Sequence, residues 1–411
     1  MTTFVTNPQA VRDTYAEALR QIMSIERAEE NRRWLAHWPM LAAGPTPLWS
    51  LPDLAARLGI AQLAVKDESK RASPGSFKVL GAPIALVRLI VRQFAAQGWT
   101  AADLFAGRHA ALLDSFTVVS ATDGNHGRAL AAAAQSVGCR CVIVIHRHVS
   151  DERAASIAAF GARVIRIDGN YDASVVEAAR LATEHGWHVV SDTSWDGYEE
   201  IPRDVMQGYG TIAAEAIEQA GGTSRATDCP FTHVLLQGGV GGLAAGVVSY
   251  FTEMWGARRP MFIVVEPQQA DCLLQSALAQ RAALATGSVD SVMAGLACGA
   301  TSPLAWSFLA PSVDGFMTVD DDEAIDAMRI IAEGGPRDVP IVGGESGMAG
   351  LAGLLALAKR AEWRDRAALD PASRVLLINT EGATAPSLYR ELVGRSADDV
   401  LAAQARHTSH R

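Results

Sequence analysis

Apolar and polar positions change period along this chain, and the changes mark its elements. Asn7-Pro8 reads as an N-cap followed by proline at the first helical position, predicting a polar-faced helix that runs to about Trp34. The segment Gly44-Pro45-Thr46-Pro47 breaks it. A short helix at Leu51–Leu58, a strand at Gln62–Lys66 and a helix bearing Lys78 that runs to about Phe94 follow, and the polar stretch 97–115 reads as a connection. From Thr117 the pattern becomes an alternation. Strand-length apolar runs at 117–121, 140–146, 162–167 and 188–191 are separated by Ala-rich helical segments at 127–137, 151–160 and 171–185, which Gly138, Gly161 and Gly186 end. A helix at 202–220 opens a second series, with strands near 232–237, 261–265, 316–319 and 374–379 and helices near 243–254, 320–334, 346–361 and 387–393.

This alternation predicts an α/β fold of two domains, each with a largely parallel sheet covered by helices. We expect a large domain formed by 1–95 and 200–411 and a small one formed by 96–199 that carries the Asp123/Asn125 loop. A length of 411 residues with 49% hydrophobic content is enough for two cores. The net charge of −9, with no long Lys/Arg run, argues against nucleic acid or an anionic membrane as partner. Arg88 and Arg92 interrupt the best apolar run, and the polar stretch from Met1 to Arg33 lacks a secretory core, so a cytoplasmic enzyme working on a small molecule is expected. Five cysteines form no C-x-x-C pair, which argues against a disulfide framework or a zinc ribbon; Cys272 and Cys298 flank a Gly/Ser-rich excursion and are the pair that could meet. His146, His148, His185 and His188 read as solvated residues at strand ends rather than metal ligands.

The unusual residues cluster at strand ends. Asp123-Gly124-Asn125-His126-Gly127, Asp192-Thr193-Ser194-Trp195, Gly238-Gly239-Val240-Gly241-Gly242, Glu266-Pro267 and Thr380-Glu381-Gly382 each follow a predicted strand, the edge at which open parallel sheets bind ligands. Gly344-Glu345-Ser346-Gly347 precedes another helix. Any one of these could be an ordinary turn. Lys78, between Phe77 and Val79, is either a lysine that reaches from a helix end into water or a desolvated amine able to form a Schiff base with an aldehyde. The loop Gly238–Gly242 offers backbone N–H groups at a helix start, a cradle for phosphate. Gly239 to Ala244 also matches the dinucleotide pattern G-x-G-x-x-A, with Glu266 where a ribose-binding acid would stand. Asp123 is either an N-cap or an acid/base beside the amide of Asn125.

Ser76-Phe77-Lys78, Gly124-Asn125-His126-Gly127 and the 238–242 loop resemble the lysine, asparagine and phosphate-cup elements of pyridoxal-phosphate enzymes of the tryptophan synthase β fold type. The wider motifs from Ala121 to Arg128, Asp192 to Pro202, Met206 to Tyr209 and Met293 to Gly299 resemble the diaminopropionate ammonia-lyase family, and the likeness spans about Pro45 to Arg390. It implies pyridoxal 5'-phosphate held on Lys78, with phosphate on Gly238, Gly239, Val240, Gly241 and Gly242, Asn125 near the ring 3′-oxygen, Thr384 near the pyridine nitrogen, and Phe77 and Glu345 as further cofactor contacts. It also implies α,β-elimination of 2,3-diaminopropionate to pyruvate and ammonia by a homodimer. In that reaction Lys78 takes the Cα proton of the L isomer, Asp123 that of the D isomer, and Asp192 binds the distal amine with Tyr171 close by. Two departures bear on the substrate rather than on the cofactor. Ala383 and Ala385 stand where the family carries carboxylates, and Gly75-Ser76 resembles the threonine dehydratase branch. A serine/threonine dehydratase, a non-catalytic cofactor-binding relative and an NAD-dependent oxidoreductase are the alternatives.

Overall fold

The computed structural model describes residues 2–122, 124–169, 171–222 and 224–409. Its strands are β1 (Thr3–Thr6), β2 (Leu48–Ser50), β3 (Gln62–Asp67), β4 (Thr117–Ala121), β5 (Arg140–His146), β6 (Arg163–Ile167), β7 (His188–Val189), β8 (His233–Gln237), β9 (Met261–Pro267), β10 (Gly315–Val319) and β11 (Arg374–Asn379). They form a seven-stranded sheet in the order β1-β10-β9-β8-β11-β3-β2 and a four-stranded sheet in the order β6-β5-β4-β7. All pairings are parallel except those of the two edge strands β1 and β2. The central strands explain why the sequence showed unbroken apolar runs: β8 and β10 are buried at every residue, as strands covered on both faces must be. Leu235, Ile263, Val265, Met317 and Leu377 lie in the core of the larger sheet, and Val119, Val142 and Val144 pack with Ala178 and Leu181 in the smaller.

The chain divides into two compact units, one of residues 1–25, 45–70 and 212–411, the other of 26–44 and 71–211. These limits differ from the expected 1–95 with 200–411 and 96–199. Residues 71–95 and 200–211 go with the smaller unit because the helix Ala82–Gln93 packs against the helices Asn125–Val137 and Glu200–Gly208. Lys78 therefore belongs to the same unit as Asn125 and Asp192.

Other differences have local causes. No helix begins at Pro8. Thr3–Thr6 pairs with β10, and the Asn7 amide donates to Ala310 O at 2.8 Å and Val313 O at 2.7 Å instead of capping a helix; the first helices are Glu17–Ile22 and Ile25–Leu35. Lys78 sits in a 3-10 turn, Phe77–Leu80, ahead of the helix Ala82–Gln93. The helix expected at 202–220 is two, Glu200–Gly208 and Gly210–Gln219, parted at Tyr209. The helix Ala397–Ser409 was not foreseen. Among the described residues no helix is long and apolar enough to cross a membrane.

A buried ion pair ties β3, the strand next to the edge of the larger sheet, to the helix Gly210–Gln219. Lys66 on β3 is fully buried, and its ammonium donates to Glu215 Oε2 at 2.6 Å, Thr46 O at 2.7 Å and Gln219 Oε1 at 2.9 Å. Such a pair contributes little beyond a hydrophobic replacement, but removing one partner strands the other charge. Lys66→Met should lower stability by about 3–5 kcal/mol in urea unfolding, and the double variant Lys66→Met/Glu215→Leu should recover most of the loss. Equal midpoints for wild type and the single variant would show that the pair carries no such weight.

Candidate active site

In the smaller unit two side chains, those of Lys78 and His126, meet at one carboxylate, that of Asp192. Lys78 Nζ bonds to Asp192 Oδ2, and His126 Nδ1 lies 3.8 Å from the same oxygen. Burial alone raises the Asp192 carboxyl, but the Lys78 ammonium and the His126 ring outweigh it and hold the group well below the ordinary carboxylate range. Burial lowers the His126 imidazole, with the Lys78 charge adding to the effect and Asp192 opposing it. His126 Nε2 lies 2.9 Å from Val190 O, which can only accept, so Nε2 carries the proton. The expected apolar setting of Lys78 is only part of the picture. The Phe77 ring lies 5.2 Å from Nζ, yet the contact with Asp192 favours the charged amine.

Local structure holds these groups in place. Asp192 follows β7, and the Tyr198 hydroxyl bridges that strand end, accepting from Ser191 N at 3.0 Å and donating to Val189 O at 2.9 Å. Trp195 stacks on Tyr198 with centroids 4.1 Å apart. Asn125 opens the helix Asn125–Val137, which packs on the 3-10 turn of Lys78. Tyr171 is the first residue of the helix Tyr171–His185. Asp123 lies outside the described residues.

In the larger unit the geometry of the glycine loop suits an anion. Between β8 and the helix Gly242–Trp255, Gly239 and Gly241 take φ of 66° and 98°, and a Cβ on Gly241 would fall 2.9 Å from Leu309 Cδ1. The loop's carbonyls are turned into the protein: Gly238 O accepts from Gly241 N at 3.3 Å, Val240 O from Ser302 N at 3.1 Å, Gly241 O from Ala245 N at 2.9 Å, and Gly239 O from the Cys272 thiol at 3.4 Å. The N–H groups of Gly242, Leu243 and Ala244 precede the first rung of the helix and have no use within it. An edge of donors with its acceptors removed fits a phosphate. Glu345 and Thr384 sit on two touching backbone segments: Gly344 N donates to Glu381 O and Ser346 N to Glu381 Oε1, both at 2.9 Å, while Thr384 N donates to Gly382 O at 2.8 Å. None of the five cysteines is in a disulfide, and Cys272 and Cys298 do not pair. Among the described residues no group of three His, Cys, Asp or Glu is placed to hold a metal ion.

The sequence pattern of the pyridoxal-phosphate dependent enzymes matches residues 40–381. The chain belongs to that family. Diaminopropionate ammonia-lyase of Escherichia coli K12 is 38% identical over 360 residues, which cover 87% of this chain and 89% of the relative. The crystal structure of the holo E. coli enzyme aligns with a TM-score of 0.85 at 35% identity over 96% of both chains. Its complex with an aminoacrylate-PLP azomethine reaction intermediate aligns with a TM-score of 0.84 at 35% identity, covering 96% of this chain and 97% of that one. The α/β architecture expected for the tryptophan synthase β-like fold is that of these pyridoxal-phosphate enzymes.

The NAD-dependent reading fails on this membership and on geometry. Glu266, the candidate ribose acid, places its two oxygens on Leu273 N at 2.9 Å and Leu274 N at 2.8 Å, capping the helix Cys272–Ala279; burial pushes its carboxyl up to about 8. His126 and Tyr198 were not singled out from the sequence by role. Both lie in motifs read there, but their work depends on backbone carbonyls of β7 that only the fold brings near.

The Asp192 shift has a sign that can be tested. Because its folded value is depressed, the carboxylate contributes stability above the ordinary carboxylate range and loses it as pH falls toward the folded value. In the cofactor-free protein, the gap in thermal midpoint between wild type and Asp192→Asn should stay flat from about pH 8 to about pH 5 and close only below about pH 4. Closure near neutrality would point to the His126 ring as the titrating group.

Proposed function

We propose that this chain catalyses the α,β-elimination of 2,3-diaminopropionate to pyruvate and ammonia. The supporting observation is an ionised carboxylate, Asp192, already paired with the amine of Lys78 in a chain whose relatives are diaminopropionate ammonia-lyases. Lys78 would hold the aldehyde carbon of pyridoxal phosphate, and the N–H edge at Gly238–Gly242 its phosphate. Phe77, Asn125, Glu345 and Thr384 would complete its surroundings. When bound, the cofactor supplies the electron sink that makes the substrate Cα–H acidic.

The residues then divide the proton work. A β-amine leaves well only when protonated, so the site must keep that nitrogen charged until its bond to carbon breaks. Asp192 suits this task. Its depressed carboxyl stays ionised and binds the distal ammonium, which departs as neutral ammonia. The same ammonium competes with Lys78 for Asp192, and a Lys78 freed of its partner loses its proton more readily and can accept the one on Cα. Lys78 serves the L isomer and Asp123 the D isomer, with Tyr171 beside the substrate. We also propose a cytoplasmic homodimer. The exposed Val11, Leu278 and Leu284 side chains of the larger unit support the homodimer.

Release of pyruvate from each isomer of 2,3-diaminopropionate tests the reading directly. A protein that turns over serine and leaves diaminopropionate untouched would be a hydroxy-amino-acid dehydratase instead. Asp123→Asn separates the two bases: D turnover should fall by roughly two to four orders of magnitude while L turnover survives in part. Equal losses for both isomers would remove Asp123 from proton transfer.

A further inference from the structure

Tyr209 interrupts what would otherwise be one helix, and its ring is 1% exposed. It packs on Phe77, with centroids 4.7 Å apart at 57°. Two glycines make this possible. A Cβ on Gly81 would lie 2.8 Å from Tyr209 Cε1 and 2.9 Å from Cζ, and one on Gly208 would lie 2.0 Å from Leu80 O. The phenol is thus clamped against the turn that carries Lys78.

Packing explains the ring and leaves the oxygen unexplained. The Tyr209 hydroxyl is buried without a hydrogen-bond partner among the described residues. So is the hydroxyl of fully buried Ser76, two residues before Lys78. A phenylalanine would fill the same space and avoid the cost of a desolvated, unpaired hydroxyl. Burial raises the phenol above its ordinary value, with the Lys78 charge pulling it down and that of Asp192 pushing it up, so it remains an O–H donor across the neutral range and feels both charged groups of the site.

We propose that the Tyr209 hydroxyl is a ligand-binding group, donating a hydrogen bond to an anionic oxygen brought to Lys78 by the cofactor or by the amino-acid substrate. The inference rests on Lys78 being the cofactor lysine. Tyr209→Phe removes only the oxygen. In the cofactor-free protein its thermal midpoint should stay within about 2 °C of wild type or rise, because no partner is lost.

Absorbance titration with pyridoxal phosphate and steady-state kinetics with diaminopropionate then find the acceptor. An oxygen on the cofactor should raise the cofactor Kd about tenfold. An oxygen on the amino acid should leave that Kd unchanged and raise KM about tenfold, with a smaller change in kcat. The proposal is overturned if both constants stay within about twofold of wild type, or if the cofactor-free midpoint falls by about 5 °C or more, which is the mark of a structural hydroxyl. A wild type that binds no pyridoxal phosphate would overturn the assignment of Lys78 and this inference with it.

Discussion

The contact between Lys78 and Asp192 is the constraint around which the smaller unit is organised. A half-hidden carboxylate is costly unless a cation and further polar groups sit close to it, so the backbone on either side must be held to tight tolerance. Each side has its own clamp. The Tyr198 hydroxyl and the His126 ring grip successive carbonyls, Val189 and Val190, just before Asp192. The turn that carries Lys78 is pressed between the helix of Asn125 and the helix ending at Gly208, whose lack of a side chain allows near backbone contact with Leu80. In the cofactor-free chain the pairing favours the charged form of the amine.

The larger unit solves the opposite problem, presenting positive potential with no charged side chain in the loop itself. It does so by orientation of peptide groups: every carbonyl from Gly238 to Gly241 has a partner within the unit, and the helix start is left with its donors. Glu266 belongs to the same design. It lies directly beneath Gly238, where a Cβ would come within 2.4 Å of its Cγ, and it fastens the neighbouring helix that also carries Cys272.

Much of this was legible in the sequence because it depends on local pattern. The buried strands read as apolar runs, and Lys78, Asn125, Asp192 and the glycine loop stood out by following strand ends or opening helices. What escaped depends on distant partners. β1 is four residues long, Thr-Phe-Val-Thr, and earns its place only by pairing with β10 more than three hundred residues away; the Asn7-Pro8 signal beside it looked like a helix cap because its true acceptors, Ala310 and Val313, are equally remote. The break at Tyr209 was hidden by an apolar pattern that continues through it. Glu266 stayed ambiguous for a similar reason. A lone acid at a strand end has the same appearance whether it meets a ribose or two backbone amides.

The four anchored carbonyls of the glycine loop carry a consequence for how affinity would evolve. Since the loop's conformation is fixed by Ser302, Cys272 and the first turn of its own helix, the entropy of ordering it is met when the unit folds and not when a ligand arrives. Changes at residues that never approach a ligand, such as the thiol behind Gly239, would then tune the dissociation rate while leaving every contacting residue the same. Drift in the surrounding scaffold, more than exchange of the glycines, is the route by which relatives on this fold would come to hold a phosphate more or less tightly.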